Sequence, residues 1–415
     1  MITVREALDR VLREVVALPA EEVPLAAALG RVLAEDVTAV LDVPRWDNSA
    51  MDGYAVRAAD TSEDEVALVL NEVIGAGYVP VVRVASGTAS AIMTGAPMPE
   101  GADAVVMVED TDGSQEGTVQ IRGKATPGLH IRRRGEDIHT GDLLLSAGDR
   151  LGPAALGLAA SQGREVLSVS RRPVVAILST GDEVVPPGQP LQPGQLYSSN
   201  NASLAGLVTR AGGVPLDGGT APDDLAATVG RLEWCIAQAD AVLTSGGVSV
   251  GEFDVVKQAF ADLGVPLDFW RVKMKPGKPL AFGVAVQGGR RVPVFGLPGN
   301  PVSCMVNFLE IVRPWMHAAM GTRKPFLPVV EAIAAEDIRV SPGRLDFTRV
   351  TLEDDKGRWC CHSTGNQSSA VLTSMVRAHG LALFPPGSEG ARAGEVVRVQ
   401  LLDPSFLDRD DPGLP

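Results

Sequence analysis

The chain has 415 residues, 45% hydrophobic and 21% charged, with a formal net charge of −14. That length is too great for one compact core, so several domains are expected. The acidic balance and 4% aromatic content argue against a nucleic-acid or anionic-membrane binder, while a local basic pocket could still take a small anion.

No apolar run is long enough to span a bilayer, and the N-terminus carries charges too early for a signal peptide. Cys235, Cys304, Cys360 and Cys361 lack the spacing of a zinc site or disulfide framework, which points to buried thiols in a reducing, cytoplasmic protein. Thr3-Val4-Arg5-Glu6 fits a capping box, followed by Val4, Leu8, Val11, Leu12 and Val15 along one face of an amphipathic helix. Pro24 to Leu29 reads as a second short helix ended by Gly30, and Arg31 to Val37 as a strand.

A turn-rich stretch follows around Asp47 and Asp52, carrying Trp46, Met51 and Tyr54. Loops with so many large residues either pack or bind. From Val66 to about Val119 short β-like runs, Val79 to Val84 and Ala104 to Val108 among them, suggest a small β-rich domain. Within it, the turn at Thr94-Gly95-Ala96-Pro97 could present a hydroxyl and backbone amides. Arg132, Arg133 and Arg134 beside Glu136 and Asp137 read either as a self-paired solvated face or as an anion clamp. Leu143 to Gln162 holds a strand-like piece and a helix from Pro153.

After Arg171-Arg172-Pro173, strands and helices alternate. Strands are expected at Val174 to Leu178, Ala241 to Leu243, Leu267 to Val272, Leu280 to Val286 and Val292 to Phe295. Helices are expected at Ser199 to Ala211, Asp223 to Ala239, after Val255, and after Pro301, where Asn300 suits the cap; Pro314 should kink or end the last. Such alternation means a parallel sheet wound on both faces, with ligands at the carboxyl ends of its strands.

The loops there are rich in chemistry. They are Ser179-Thr180-Gly181-Asp182-Glu183, Thr244-Ser245-Gly246-Gly247-Val248-Ser249-Val250-Gly251-Glu252-Phe253-Asp254, Lys273-Met274-Lys275-Pro276-Gly277-Lys278 and Gly296-Leu297-Pro298-Gly299-Asn300-Pro301-Val302-Ser303. None is a Walker A loop or a dinucleotide fingerprint. Glycine turns expose backbone N–H groups to an anion. Carboxylates at Asp182, Glu183 and Asp254 facing Lys273, Lys275 and Lys278 compose a Mg²⁺–phosphate site. From Val329 to Leu402 the pattern is β again, with a short helix through Leu372 and Val376, and beyond Pro404 the tail reads as disordered.

This set of motifs resembles the MoeA family of molybdopterin molybdenumtransferases, whose relatives include the gephyrin E domain. Matching pieces run in order over nearly the whole chain: Ser49 to Ala55, Thr94 to Ala96, Arg133 to Asp137, Ser179 to Glu183, Ser245 to Gly251, Lys275 to Pro279, Gly296 to Ser303 and Gly365 to Ser369. The resemblance implies a multidomain α/β protein: a central doubly wound, molybdopterin-binding α/β domain over 171–323, an extended discontinuous α+β domain over 1–46 and 141–170, two β-rich domains, one inserted at 47–140 and one barrel-like at 324–405, and a flexible tail over 406–415. It implies insertion of molybdenum from molybdate into adenylylated molybdopterin with release of AMP and with Mg²⁺, by a homodimer whose site is shared between subunits, with an upstream adenylyltransferase as a candidate partner.

Carried over by motif, the functionally important positions are Asp52, Thr94, Asp137, Glu183, Asp254, Lys275, Pro298 and Pro301; with Lys278 from its loop, the expected catalytic set is Asp52, Asp137, Glu183, Asp254, Lys275 and Lys278, with the metal on Asp254 and on Glu183 or Asp182. Substrate contacts are expected from Thr94, Thr180, Gly181, Asp182, Ser245, Gly246, Gly247, Ser249, Lys273, Pro298, Gly299, Asn300, Pro301 and Ser303. One further acidic position matches Asp223 or Asp224, and Arg271 stands where the family often has lysine, a planar donor in place of a compact one. The rival readings are a pyrophosphate-cleaving or adenylyl-transfer enzyme on the same fold and a non-catalytic pterin-binding scaffold.

Overall fold

The structure is a computed structural model and describes residues 1–247 and 255–408; Ser249 and Asp254 therefore lie outside the described residues. The chain divides into two compact units. One holds Met1–Ala34, Gly148–Leu151 and the described residues from Val166 onward, the other Glu35–Ala147 and Gly152–Glu165.

At the centre of the first unit lies a six-stranded sheet. We label its strands β1 (Val174–Thr180), β2 (Val214–Ala221), β3 (Ala241–Ser245), β4 (Leu267–Arg271), β5 (Pro279–Gln287) and β6 (Arg290–Leu297), and its helices α1 (Ser199–Arg210), α2 (Leu225–Gln238), α3 (Val255–Asp262), α4 (Pro301–Asn307) and α5 (Arg313–Ala319). The strand order is β2-β1-β3-β6-β5-β4. Successive side chains of a strand point to opposite faces, and here both faces are covered. Val175 and Ile177 pack with Leu204, Leu207 and Val208 of α1 and with the α4–α5 segment. Ala176 and Leu178 pack with Leu232 and Ile236 of α2 and Phe260 of α3. Burial on both sides is why these strands read as unbroken apolar runs. On the first face Phe282, Phe295 and Trp315 form a chain of rings with centroids 5.2 and 6.1 Å apart, each fully buried aromatic contributing about 1.5–3 kcal/mol.

The sheet is mixed rather than wholly parallel. β2, β1, β3 and β6 run parallel, but β5 and β4 are antiparallel to their neighbours. The cause is local. Gly288 and Gly289, at φ 56° and 81°, join Gln287 to its ladder partner Arg290 in a two-residue primed turn that only positive-φ residues make easily.

The N-terminal helix, Val4–Arg13, carries the expected capping box: Glu6 N donates to Thr3 Oγ1 at 3.1 Å and Thr3 N to Glu6 Oε2 at 2.7 Å. Pro24 to Leu29 is not a full helix but a 3₁₀ turn at Leu25–Ala27, because Ala20–Pro24 is drawn into an antiparallel ladder with Val166–Ser170. Arg31 to Val37 is not a continuous strand either; Val32 and Leu33 make single bridges only. In the C-terminal part, Val329–Ala334, Leu345–Asp355, Arg358–Ser363, Gly380–Phe384 and Val396–Leu401 close into a ring, each strand paired on both sides. The segment after it is ordered through 408: Pro404–Leu407 forms a turn capped by Asp403, and Phe406 stacks on His379 with centroids 4.6 Å apart.

The second unit has a six-stranded sheet, with its longest strand, Glu65–Ile74, and Thr88–Ile92 at its middle and Gly53–Val56 next to the latter. Ala104–Met107 is a strand as expected, whereas Val79 to Val84 is not. Pro80 interrupts that run, and Val81 N and Val82 N donate to the Glu72 carboxylate instead of to a ladder. Among the described residues no helix is long and apolar enough to cross a membrane.

Pro314 neither ends nor breaks its helix. Between α4 and α5 the residues Phe308–Val312 form a π turn, in which Arg313 N donates to Phe308 O. The wider turn accommodates a residue with no N–H to give to the carbonyl four positions back. Glu310 lies on this turn, one carboxylate oxygen buried without a partner among the described residues and the other accepting from Gln400 Nε2 at 3.4 Å. Burial pushes its carboxyl up to about 7. The folded protein thus holds a proton that the unfolded chain has lost, and stability falls as pH rises from about 4.5 through 7. Replacing Glu310 with Gln is expected to flatten that fall, giving up to about 3 kcal/mol at pH 8 and nothing at pH 4, read from urea unfolding at both pH values.

Candidate functional site

The carboxyl ends of β1, β3 and β6 open onto one cavity of about 790 Å³. Its wall combines the loop after β1 (Thr180, Gly181, Glu183), the loop after β3 (Ser245, Gly246, Gly247), the loop after β6 (Pro298, Gly299, Asn300, Pro301) and the start of α1. Glycine is obligatory at two of these turns. Gly181, at φ 126°, lies under the Glu183 carboxylate, which would sit 2.5 Å from an added Cβ. Gly247, at φ 63°, would drive a Cβ to 2.3 Å from Val256.

Asn200 ties two of the loops together. Its amide Nδ2 donates to Ser245 Oγ at 2.7 Å and to Gly299 O at 2.8 Å. Beside it Ser179 Oγ donates to Asn201 Oδ1 at 2.5 Å. Asn200 Oδ1 and Thr180 Oγ1 are buried with no partner among the described residues. Buried orphans of this kind cost about 1–3 kcal/mol each, a cost that a ligand's donors can offset. Ser303 is buried one turn into α4, and Cys304 beside it, bonded to Ser245, has its thiol pushed up to about 12 by burial, so it packs and does not react. Asn300 holds the cap position of α4 without capping it; its Nδ2 donates to Ser369 Oγ at 3.0 Å and fixes the α4 start to the 364–369 loop.

Three carboxylates gather on the β1 side. Glu183 and Asp223 line the cavity, and Asp182 Oδ1 accepts from Asp223 N at 3.1 Å. The neighbours Asp223 and Asp224 part company here, for Asp224 caps α2 by accepting from Ala227 N at 2.7 Å. Among the described residues no three His, Cys, Asp or Glu side chains form a ready-made metal cage.

The lysines stand apart from this wall, none of Lys273, Lys275 or Lys278 being among the cavity's lining residues. Lys275 Nζ lies 3.1 Å from Asp346 Oδ2. Asp346 is itself only 4% exposed and takes a bond from Thr348 Oγ1 at 3.0 Å. Next to it Arg349, fully buried, donates to Ser374 Oγ and Ser368 O. Sequence reasoning passed over Asn200, Asp346 and Arg349. A signal existed for the last two, charged residues set at apolar positions of a strand.

In the second unit Asp52 and Thr94 come together across 42 positions, Thr94 N donating to Asp52 Oδ1 at 2.7 Å, and this bond holds the Asp52 carboxyl below its usual range. Asp137 presents an exposed carboxylate with no partner among the described residues. Two arginines of the run are neutralised, but not by the acids beside them: Arg133 pairs with Asp47 at 2.6 Å and Arg134 with Asp42 at 2.5 Å, while among the described residues Glu136 accepts only from Arg133 N. Bonds from Thr140 and then Arg134 hold Asp42 at about 2.

Three family models match the chain in succession: the MoeA N-terminal region (domain I and II) over residues 2–163, a probable molybdopterin binding domain over 176–318, and the MoeA C-terminal region (domain IV) over 331–402. Molybdopterin molybdenumtransferase 2 of Mycobacterium tuberculosis is 43% identical, covering 91% of this chain and 94% of its own. The molybdopterin molybdenumtransferase of Haemophilus influenzae is 36% identical, with 96% and 98% covered. A solved molybdopterin biosynthesis MoeA protein of Pyrococcus horikoshii OT3 superposes with a TM-score of 0.82 at 30% identity, covering 97% of this chain and all of that one. The chain belongs to the MoeA family of molybdopterin molybdenumtransferases, enzymes of molybdenum cofactor biosynthesis.

Proposed function

We propose that this enzyme takes adenylylated molybdopterin and molybdate, cleaves the phosphoanhydride to release AMP, and leaves molybdenum on the dithiolene, with Mg²⁺, as a cytoplasmic homodimer. The observation that carries this reading is the convergence of three glycine-bearing strand ends and the α1 N-terminus on one cavity. Gly247 and Gly299 there make no N–H bond to another backbone group among the described residues. Backbone N–H groups and a helix N-terminus favour phosphate.

Asp182, Glu183 and Asp223 supply hard oxygen donors that fit Mg²⁺, which takes one or two protein carboxylates and completes its shell with phosphate oxygens and water; Asp254 joins this set in our reading. Bound there, Mg²⁺ would neutralise charge on the phosphoanhydride. Asn200 holds the two glycine loops at a fixed separation, so the substrate's phosphates meet prepositioned donors. Lys275, oriented by Asp346, and Lys278 are assigned to the oxyanion oxygens of molybdate or phosphate. Asp52 with Thr94, and Asp137, complete the site from the partner subunit. The four free thiols accord with a reducing compartment, and an upstream adenylyltransferase is the natural donor of the adenylylated substrate.

Turnover of adenylylated molybdopterin with Mg²⁺ should release AMP only when molybdate is present, with molybdenum recovered on the pterin; AMP release indifferent to molybdate would instead mark a hydrolase. Asp223→Asn is expected to lower AMP release at least tenfold with unchanged thermal stability, whereas Asp224→Ala should cost about 0.5–2 kcal/mol of stability and keep turnover. Mixing inactive Asp52→Asn and Glu183→Gln proteins under subunit exchange should restore about a quarter of wild-type activity if the site is shared in a twofold dimer. No recovery would place the whole site within one subunit.

A further inference from the structure

A second cavity of about 260 Å³ in the first unit shares no lining residue with the one above. It lies between the end of α1, the π turn with the start of α5, and the segment after the barrel's last strand. Arg150, Arg210 and Arg313 all line it, alongside Phe308, Leu309 and Asp403.

The charges there do not balance. Arg210 Nη1 lies 2.7 Å from Asp403 Oδ2, a pair that is half-exposed on both sides. Arg150 Nε donates to Gly30 O at 3.0 Å and Arg313 Nη1 to Pro325 O at 2.7 Å. Both of these partners are neutral carbonyls, and neither arginine has an ion-pair partner among the described residues. Asp403 thus offsets one of three guanidinium charges. Arg172 adds like charge beside Arg150. Glu310, whose charge acts on Arg313, has its carboxyl pushed up to about 7 by burial and is mostly neutral below that pH. His317 cannot compensate: it is 4% exposed, neither ring nitrogen has a partner among the described residues, and burial with Arg313 and Arg150 keeps it neutral. The strain of like charge is visible on Arg313, which burial, then Arg150 and Arg210, push down to about 10.

Converging guanidinium groups with unused N–H donors are matched by a tetrahedral oxyanion, which accepts their paired bonds. A surplus of two positive charges suits a dianion. The cavity adjoins a larger one of about 540 Å³, with which it shares Leu207, Arg210, Leu309, Leu402 and Asp403. We propose that this cavity is a binding site for a small tetrahedral dianion, either free oxyanion or the phosphomonoester end of a small metabolite, held by Arg150, Arg210 and Arg313.

Calorimetric titration of the full-length protein with inorganic phosphate at low ionic strength tests this. Saturable binding is expected, weakened about tenfold to a hundredfold, the loss of one charged hydrogen bond, in Arg150→Gln and in Arg313→Gln. Arg150 is exposed, so its variant keeps the test open should Arg313→Gln misfold. Glycerol phosphate binding tenfold tighter than phosphate would identify a phosphomonoester site, and equal or weaker binding a free-oxyanion site. Absence of saturable binding, or phosphate affinity unchanged in Arg150→Gln and Arg210→Gln, would overturn the proposal.

Discussion

A sheet buried on both faces has only its strand ends left for chemistry, and this constraint organises the enzyme. With α1 and the α4–α5 segment on one side and α2 and α3 on the other, side chains along β1, β3 and β6 are committed to packing. Ligand groups must come from the few residues that follow each strand. Those residues need backbone shapes that a Cβ would spoil, hence Gly181 and Gly247, and they need a tether, since loops of glycine carry little order of their own. Asn200 supplies the tether from a rigid helix, joining the loops after β3 and β6 into one surface.

The second organising influence is where charge is cancelled and where it is not. Arg133 and Arg134 are neutralised by Asp47 and Asp42, and Lys275 by a buried aspartate. Such pairs orient side chains more than they stabilise, since exposed pairs are worth about 0–1 kcal/mol. Against that background the arginines around the smaller cavity stand out as charge left uncancelled in a protein that is acidic overall.

The α/β core was legible because its signals are local: apolar runs of strand length, helical spacing, and caps. The antiparallel edge was missed although its signal was present, the pair Gly288-Gly289 between two apolar runs, because the βα alternation upstream outweighed it. Closure of the C-terminal ring was not written in any one segment, since it depends on Leu345–Asp355 finding two partners at once. At the site, glycine and acidic loops declared themselves, but Asn200 did not; an amide two residues into a helix reads as surface until the loops it binds are in place. Asp223 and Asp224 are chemically identical neighbours, and only the start of α2 separates capping from lining. The partners of Arg133 and Arg134 lie 86 and 92 positions away, beyond the reach of local pattern.

The π turn at Phe308–Val312 is one residue wider than the helix around it, and so it fixes rotational phase. Each residue of an α-helix advances about 100°. Everything after the turn is set by that extra step: Trp315 and Met316 face the aromatic core, while Arg313 faces the smaller cavity. Removing a single residue from the turn would leave a regular helix of better local geometry, yet it would turn Trp315 and Met316 out of the places they fill, in a helix buried on nearly every side. The irregularity is a phase adjuster between two halves of one helix, and the length of this segment is consequently as constrained as its composition.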